Sequence, residues 1–270
     1  MMGIPFTKMH GLGNDYHFID AVKYPIADPA ELSRQMSHRH LGAGSDGIIL
    51  VLPGEEHPFK MRIFNADGSE AETCGNGIRC FAKYVYERGM TQDTEFTIET
   101  LAGPNRVVLT IDGGKVTAVR SNMGRRKFER AEIPMIGAPG RVLEEAITLD
   151  DGRVFAITCA NIGNPHAVVF VDDATAVNLA DIGPRIENHP AFPQRTNVEF
   201  VTVRDRDNIV MRIWERGSGI TMASGSGSCG SALASMITDR VNRRVRVHLV
   251  YGILTIEWAE DGCVYQEGPA

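Results

Sequence analysis

The sequence predicts an α+β protein built from two similar halves, and three observations support this. Strand-like apolar runs outnumber helical runs along the 270 residues. Each half contains one prominent helix that follows a glycine-rich loop. Matching glycine and asparagine positions recur 150 residues apart in three separate segments, which indicates a structural repeat.

The repeat is clearest in two loops, Cys74-Gly-Asn-Gly77 and Ser224-Gly-Ser-Gly227, whose glycines match. The same offset relates two further pairs of segments: Gly13-Asn14 with Gly163-Asn164, and Gly47-Ile48 with Asn197-Val198. We therefore predict two domains, over residues 1–120 and 121–270, with the C-terminal end of the chain joining the first domain.

The first half begins with short strands and one well-marked helix. Asp28-Pro-Ala-Glu31 predicts a helix start, with Asp28 as the cap and proline in the first turn, and the helix should reach about His38. A second helix is predicted from Ile78 to Arg88 because its apolar residues have helical spacing. Predicted strands are 4–10, 16–22, 48–52, 59–64, 96–100, 106–111 and 116–121.

The second half repeats this plan. Helices are predicted near Val177–Glu187 and over Ser231–Val241. Predicted strands are 154–160, 167–171, 198–204, 209–214, 244–249 and 254–258. Two hexamers, at 42–47 and 225–230, match GxGxxG. The first precedes a strand, and no acidic residue follows the second at the required distance, so neither predicts a dinucleotide site.

Composition excludes several classes of protein. The net charge is −6 without a basic patch, which argues against a nucleic-acid partner. No apolar run approaches the roughly 20 residues that cross a bilayer, and no signal-peptide core is present. The five cysteines have no paired spacing and His38 and His40 have no third ligand nearby, so we expect a cytoplasmic protein without disulfides or metal.

The position of Cys74 predicts acid–base chemistry. A residue just before a helix lies beside unpaired backbone N–H groups and the positive end of the helix dipole. We therefore expect the thiol pKa to be lowered, and we expect the same N–H groups to hold a carboxylate. Two such loops suggest that one group removes a proton from a carbon and another delivers one to its opposite face.

Five motifs together resemble the diaminopimelate epimerase family over nearly the whole chain. They are His10-Gly-Leu-Gly-Asn-Asp, Phe64-Asn-Ala-Asp-Gly-Ser-Glu with Cys74-Gly-Asn-Gly, Gly163-Asn-Pro-His, Arg195-Thr-Asn-Val-Glu-Phe and Trp214-Glu-Arg-Gly. The resemblance implies two pseudo-symmetric domains, each a strongly curved mixed sheet wrapped around a central helix, with the site in the cleft between them. It also implies a homodimer that epimerises LL- to meso-diaminopimelate for lysine and peptidoglycan precursors, without pyridoxal phosphate or metal.

The resemblance also assigns residues to roles. Cys74 is the first catalytic thiol with His166 assisting it, and Ser224 stands at the second thiol's position with Glu215 beside it. The implied substrate-binding set is Asn14, Asn65, Gly75, Asn76, Asn164, Asn197, Glu215, Arg216, Gly225 and Ser226. Arg216 and the asparagine amides suit the distal carboxylate of the substrate. Asp67 is expected to stabilise its own turn, and the other four cysteines are expected to be structural.

Ser224 is the main departure from the family pattern, because a serine hydroxyl is a much weaker acid than a thiol. Gly219-Ile-Thr221 and Val250-Tyr-Gly252 depart from it as well. Three interpretations stay open: an introduced Cys→Ser change, natural divergence with weakened epimerisation, and one-base chemistry such as elimination. Ile220 favours natural divergence, since a single introduced change would not account for it.

Two further alternatives keep the fold and change the function. The chain could be a pseudoenzyme that binds diaminopimelate without exchanging its α-proton. It could also racemise another amino acid, such as histidine or a hydroxyproline. The matched asparagine and arginine positions favour a long substrate with a second amino-acid end.

Overall fold

The computed structural model describes residues 3–270, and the chain divides into two compact units. The N-terminal unit runs to Asn122 and includes Glu267–Ala270, and the C-terminal unit is Met123–Gln266. Four α-helices occur in the described part of the chain, and none is long and apolar enough to span a membrane.

The N-terminal unit contains seven strands and two helices before β8, which runs across its boundary. The strands are β1 (Thr7–Gly11), β2 (Asn14–Asp20), β3 (Gly47–Pro53), β4 (Phe59–Asn65), β5 (Glu70–Ala71), β6 (Glu95–Thr100), β7 (Gly103–Asp112) and β8 (Lys115–Arg125). The helices are α1 (Pro29–Ser37) and α2 (Gly75–Glu87). Strands β2 and β3 are parallel, as are β4 and β6, and the other pairs described here are antiparallel, so the sheet is mixed.

The C-terminal unit contains the remaining strands and helices. The strands are β9 (Glu145–Thr148), β10 (Val154–Asn161), β11 (Pro165–Phe170), β12 (Asn197–Asp205), β13 (Asn208–Glu215), β14 (Gly219–Thr221), β15 (Arg244–His248), β16 (Ile253–Trp258) and β17 (Cys263–Gly268). The helices are α3 (Leu179–Glu187) and α4 (Gly225–Ile237). Strand β17 ends beyond the unit, and neither β9 nor β17 was predicted from the sequence.

The repeat extends to whole elements. Helices α1 and α3 begin and end 150 residues apart, and so do α2 and α4. The parallel pairing of β2 with β3 places Tyr16 opposite Gly47, and that of β11 with β12 places His166 opposite Asn197, at the same offset. The two units therefore share this arrangement of helices and paired strands, although their sequences differ.

Helix α2 is the centre of the N-terminal core. Its apolar face carries Ile78, Phe81, Ala82 and Val85, which are fully buried against residues of the surrounding strands. Phe59 contacts Phe81 edge to face, with ring centroids 6.2 Å apart. Burying each large apolar side chain of this kind contributes about 1.5–3 kcal/mol.

Helix α4 begins earlier than the sequence predicted. The expected helix was Ser231–Val241, but the observed helix is Gly225–Ile237. Glycine and serine are weak helix formers, so the start of this helix has the composition of a loop. Tertiary packing decides the outcome, because Cys229, Ala232 and Leu233 are fully buried.

The cap of α1 was predicted and is present, since the Asp28 Oδ1 atom accepts the backbone N–H of Glu31 at 3.0 Å. We expect Asp28→Ala to lower the free energy of unfolding by about 1 kcal/mol, because an N–H group at the helix start loses its acceptor. Asp28→Asn keeps an acceptor oxygen and should cost much less. Urea unfolding of the three proteins measures the difference, and equal stability of all three would contradict the capping role.

Candidate active site

The first half-site is built around the start of α2. Cys74 is the cap residue, with extended backbone, and its Sγ accepts the N–H of Gly77 at 3.4 Å. A Cβ at position 77 would lie 2.9 Å from the Ile49 Cδ1 atom, so glycine lets the helix start approach β3. The sulfur is thereby held beside the N–H groups at the helix N-terminus.

Two side chains from β2 contact the Cys74 sulfur. The Tyr16 hydroxyl donates to Sγ at 3.6 Å, and Sγ lies 3.4 Å from Asn14 Oδ1. Burial, together with the nearby Cys74 thiolate charge, raises the pKa of Tyr16 well above its usual value, so its hydroxyl remains a donor. Tyr16, which the sequence did not single out, is therefore a direct partner of the thiol.

The orientation of the Asn14 amide is set by Asp46. Asn14 Nδ2 donates to Asp46 Oδ2 at 2.7 Å, and Arg39 holds the other carboxylate oxygen at 2.8 Å. A carboxylate only accepts hydrogen bonds, so the amide nitrogen faces Asp46 and the amide oxygen faces Cys74. Because that oxygen is also only an acceptor, the contact with Sγ requires the protonated thiol.

The pKa of Cys74 moves in the direction opposite to the sequence prediction. Burial raises it above its ordinary value. Hydrogen bonds from the Gly77 N–H, the Tyr16 hydroxyl and the Asn76 N–H, and the charge of Arg79, only partly oppose this. The prediction of a lowered pKa is therefore wrong for this arrangement, because desolvation outweighs the helix N-terminus.

Hydrogen bonds of Asn76 and Arg79 stabilise the first turn of α2. The fully buried Arg79 donates to Asn76 Oδ1 at 2.8 Å, to Gly75 O at 3.3 Å and to Pro269 O at 3.1 Å. Asn76 Nδ2 in turn donates to Asn14 Oδ1 at 3.3 Å. The Asn76 side chain is thus bound within the protein, and it supports Asn14 and the loop.

Asn65 lies at the end of β4, in the turn that precedes the Cys74 loop. Its Nδ2 donates to the Ser69 hydroxyl at 3.0 Å. Asp67 accepts both the N–H and the hydroxyl of Ser69, at 2.8 and 2.6 Å, and these bonds lower the pKa of Asp67. The prediction that Asp67 stabilises its own turn is confirmed.

The second half-site begins at the start of α4. Ser224 has the extended backbone of a cap, and its Oγ accepts the N–H of Gly227 at 3.1 Å. A Cβ at Gly227 would lie 2.6 Å from Ile213 Cδ1. A Cβ at Gly225 would lie 3.0 Å from Gln266 Nε2, and this nitrogen donates to the Gly225 carbonyl at 3.0 Å. The geometry around Ser224 therefore matches that around Cys74, with oxygen in place of sulfur.

A buried hydrogen-bond chain lies beside α4. His166 Nδ1 is 2.6 Å from Glu199 Oε1, and His166 Nε2 is 2.9 Å from Asn164 Oδ1. Asn164 Nδ2 donates to the Ser226 hydroxyl at 3.2 Å. His166 and Glu199 are both fully buried. Burial raises the pKa of Glu199, the His166 partner opposes this, and the Glu215 charge adds to it.

Asn197 at the start of β12 and Arg216 in the turn that follows β13 are joined by a hydrogen bond. Asn197 Nδ2 donates to Pro165 O at 2.8 Å, and its Oδ1 accepts the N–H of Arg216 at 3.0 Å, so the protein occupies both ends of this amide. The Arg216 guanidinium donates to Gln194 O at 3.1 Å. Glu187, which the sequence did not single out, accepts Trp214 Nε1 at 2.6 Å and the Gly217 N–H at 3.0 Å, and it fixes this turn.

The structure thus gathers the predicted residues into two groups, one in each unit. We call Cys74, Asn14, Tyr16, Asn76 and Gly77 the cysteine half-site, and Ser224, Asn164, His166, Glu199, Ser226 and Gly227 the serine half-site. Asp46, Tyr16, Glu187 and Glu199 are the residues that sequence reasoning missed. The repeat could have found Tyr16, which lies 150 residues before His166, and Glu199 lies within the motif Arg195-Thr-Asn-Val-Glu-Phe.

The other buried cysteines lack a reactive environment. Cys80, Cys159 and Cys229 are almost fully inaccessible, and burial raises the pKa of Cys80 to about 12. Within residues 3–270, no cluster of three or more His, Cys, Asp or Glu residues could hold a metal ion.

Comparison with known proteins identifies a family. The family model for diaminopimelate epimerase matches residues 6–129 and 158–270. A protein from Moorella thermoacetica called diaminopimelate epimerase is 50% identical over 267 residues, covering 98% of this chain and 95% of that protein. A protein of the same name from Pelotomaculum thermopropionicum is 51% identical, with the same coverage.

Solved structures with low sequence identity share the fold. A phenazine biosynthesis protein of the PhzF family from Bacillus anthracis aligns with a TM-score of 0.67 at 16% identity, over 98% of this chain and 94% of that one. A hydroxyproline epimerase from Agrobacterium vitis aligns with a TM-score of 0.63 at 16% identity, over 98% and 89%. These likenesses confirm the predicted α+β fold class.

The Tyr16 contact predicts a change in thiol reactivity. The hydroxyl lowers the pKa of Cys74, so Tyr16→Phe should raise that pKa and shift the pH dependence of Cys74 alkylation by iodoacetamide to higher pH. At pH 8 we expect a several-fold slower reaction, measured on the Cys74 peptide by mass spectrometry. Tyr84→Phe, a change in the same unit, is the control. An unchanged pH profile for Tyr16→Phe would show that the hydroxyl does not act on the thiol.

Proposed function

Because the chain belongs to the diaminopimelate epimerase family, we propose that it interconverts LL- and meso-diaminopimelate by proton transfer at Cys74 and Ser224. It is an isomerase of lysine biosynthesis that acts without pyridoxal phosphate. The observation that carries the proposal is the matched pair of helix caps, in each of which the side chain accepts an N–H of the helix start.

Removal of an α-proton from an amino acid needs stabilisation of the negative charge that develops on the carboxylate. Backbone N–H groups at a helix N-terminus supply fixed dipoles for this purpose. We propose that Gly75 and Asn76 on α2, and Gly225 and Ser226 on α4, hold the reacting carboxylate. Catalysis then requires one group to take the proton and another to return one to the opposite face.

Cys74 is one of these two groups. Its hydrogen bonds place the proton on sulfur, and burial raises its pKa, so the resting group is an acid. A thiol is well suited to this role because its pKa lies nearer neutrality than that of any hydroxyl. The family resemblance implies that His166 assists Cys74, whereas the structure engages both ring nitrogens of His166 within the serine half-site, with Glu199 and Asn164.

Ser224 occupies the second position. Its hydroxyl needs a partner to act as a base, since its own acidity is low. Glu215 is the partner that the family resemblance implies, and its charge helps to raise the pKa of Glu199 in the serine half-site. We therefore propose that proton transfer at this face continues at a reduced rate.

The second amino-acid end of the substrate needs both a cation and an anion. We propose that Arg216 binds the distal carboxylate and that Asn65 and Asn164 donate or accept further hydrogen bonds. Asn76 and Asn197 support the site indirectly, because their amides are bound within the protein. We further propose a cytoplasmic homodimer without a nucleic-acid partner.

Restoring the thiol should raise the rate of epimerisation. We expect Ser224→Cys to increase inversion by about 10²- to 10⁴-fold, the usual contribution of a well-matched acid–base group. The measurement follows α-proton exchange and inversion in heavy water, starting separately from LL- and meso-diaminopimelate.

Cys74→Ala removes the thiol of the cysteine half-site and is the counterpart of Ser224→Cys. It should abolish inversion. If Ser224→Cys exchanges no α-proton from either isomer, the substrate assignment is wrong. If the unaltered chain removes the proton but returns it to the same face, the one-base alternative replaces epimerisation.

Arg216 should act mainly on substrate affinity. Arg216→Met removes the proposed contact with the distal carboxylate, and losing a hydrogen bond to a charged group raises KM by about 10- to 100-fold. Arg206→Met, which removes an exposed arginine paired with Asp239, is the control. Steady-state kinetics separate KM from kcat. An unchanged KM for Arg216→Met would exclude the assigned role.

A further inference from the structure

The two half-sites hold their equivalent asparagines in opposite orientations. Asn14 and Asn164 lie 150 residues apart, and so do Asn76 and Ser226 in the first turns of α2 and α4. The oxygen of Asn14 faces Asn76, whose Nδ2 donates to it at 3.3 Å, whereas the Nδ2 of Asn164 donates to Ser226 at 3.2 Å. Toward the helix start, the amide is therefore an acceptor in the cysteine half-site and a donor in the serine half-site.

A carboxylate at position 46 accounts for the orientation of Asn14. Asp46 Oδ2 accepts the side-chain N–H of Asn14 at 2.7 Å and the backbone N–H of Asp15 at 3.0 Å. The other oxygen of Asp46 accepts Arg39 at 2.8 Å. The equivalent position of the second unit carries Thr196, which cannot supply a carboxylate. The device that directs the amide is thus present in one unit only.

The same orientation is favoured from the opposite end through Arg79. A guanidinium only donates, so the oxygen of Asn76 faces Arg79, at 2.8 Å, and the Asn76 nitrogen faces Asn14. A cation at one end and an anion at the other therefore give the hydrogen bonds between them one direction. In that direction the Asn14 oxygen lies 3.4 Å from the Cys74 sulfur and can only accept from it.

The charged and titratable groups around Cys74 come from four parts of the N-terminal unit. They are Tyr16 on β2, Arg79 and Cys80 on α2, Asp46 just before β3 and its partner Arg39 just after α1. The Tyr16 hydroxyl donates to the sulfur and Arg79 adds a positive charge, and both lower the pKa of Cys74. Asp46 acts in the opposite sense, through the amide that it directs.

We propose that Asp46 is a positioning residue that keeps the proton on the resting Cys74 by holding the Asn14 oxygen toward the sulfur. A thiolate would face the lone pairs of that oxygen, whereas a thiol donates to them. Without Asp46 the amide is free to turn its nitrogen to the sulfur, where it would stabilise the thiolate. In the reaction this role rests on the proposed function, in which the retained proton prepares Cys74 to act as the acid.

The test is the pH dependence of Cys74 alkylation by iodoacetamide in the full-length protein. Asp46→Ala should move the midpoint down by about 0.5–1 pH unit, so that the reaction near pH 7 becomes about three- to tenfold faster. The rate at the alkaline plateau, where the thiol is fully ionised, should change by less than about twofold. A loosened loop would raise the plateau rate too, because it would expose the sulfur.

Two further variants separate the direction of the amide from the loss of a negative charge. Asp46→Asn keeps an acceptor oxygen for Asn14, so its midpoint should stay nearer to that of the unaltered chain than to that of Asp46→Ala. Asp15→Ala is the matched control, because it removes the other carboxylate that binds Arg39, at 2.9 Å, and leaves the side-chain contact between Asn14 and Asp46 in place. It should move the midpoint by less than about 0.3 pH unit.

The charge explanation makes different predictions, and several results would overturn the role of Asp46. These are equal shifts in Asp46→Ala and Asp46→Asn, an unchanged or raised midpoint in Asp46→Ala, and a full shift on adding Asp46→Ala to Asn14→Ala, where no amide remains to be directed. Thermal unfolding checks that each variant folds. If Asp46→Ala does not, the midpoint of Asp46→Thr decides, since threonine stands at the equivalent position 196.

Exchange of the α-proton in heavy water separates this role from the proposed function. If the alkylation midpoint shifts but neither the unaltered chain nor Ser224→Cys exchanges an α-proton, the proposed function fails and the effect of Asp46 on the thiol stands. If exchange occurs and the midpoint does not move, only the role of Asp46 is wrong. If both hold, Asp46→Ala should also move the alkaline limb of inversion to lower pH, because Cys74 loses its proton at lower pH.

Discussion

The rest of the structure depends on one hydrogen bond that occurs once in each unit. In both units a capping side chain accepts the N–H of a glycine three residues later. Gly77 and Gly227 are required there because any side chain would collide with Ile49 or Ile213 on the neighbouring strands. This close approach places sulfur or oxygen beside the N–H groups of a buried helix. The same constraint explains why α2 and α4 begin 150 residues apart while their sequences differ.

Folding and chemistry place different demands on the capping position. A cap needs only an acceptor, and serine is among the best, so Ser224 fulfils the structural role as well as a cysteine does. Proton transfer needs an acid near neutrality, which a hydroxyl alone is not. The fold therefore tolerates serine, and under the proposed function the cost of the serine falls on the reaction.

Local patterns predicted most elements, and tertiary contacts account for the errors. The cap at Asp28 and the helical spacing of α2 are local properties, so the sequence was sufficient for the cap and for the existence of α2. The start of α2 was nevertheless predicted at Ile78, three residues after the observed start at Gly75. The start of α4 was misplaced because burial overrides the weak helix propensity of glycine and serine. Strand β17 was missed because one of its inward positions carries Gln266, a buried polar residue whose Nε2 donates to the Gly225 carbonyl.

The site itself was only partly predictable, because hydrogen-bond direction and desolvation depend on the folded surroundings. A helix N-terminus alone suggests a thiolate at Cys74, but the Asp46 carboxylate turns the Asn14 amide so that its oxygen faces the sulfur. Burial then favours the neutral thiol. A protonated Cys74 is suited to deliver a proton, which is the acid role that the proposed function gives it. Ser224, the main departure from the family pattern, lies in the other half-site.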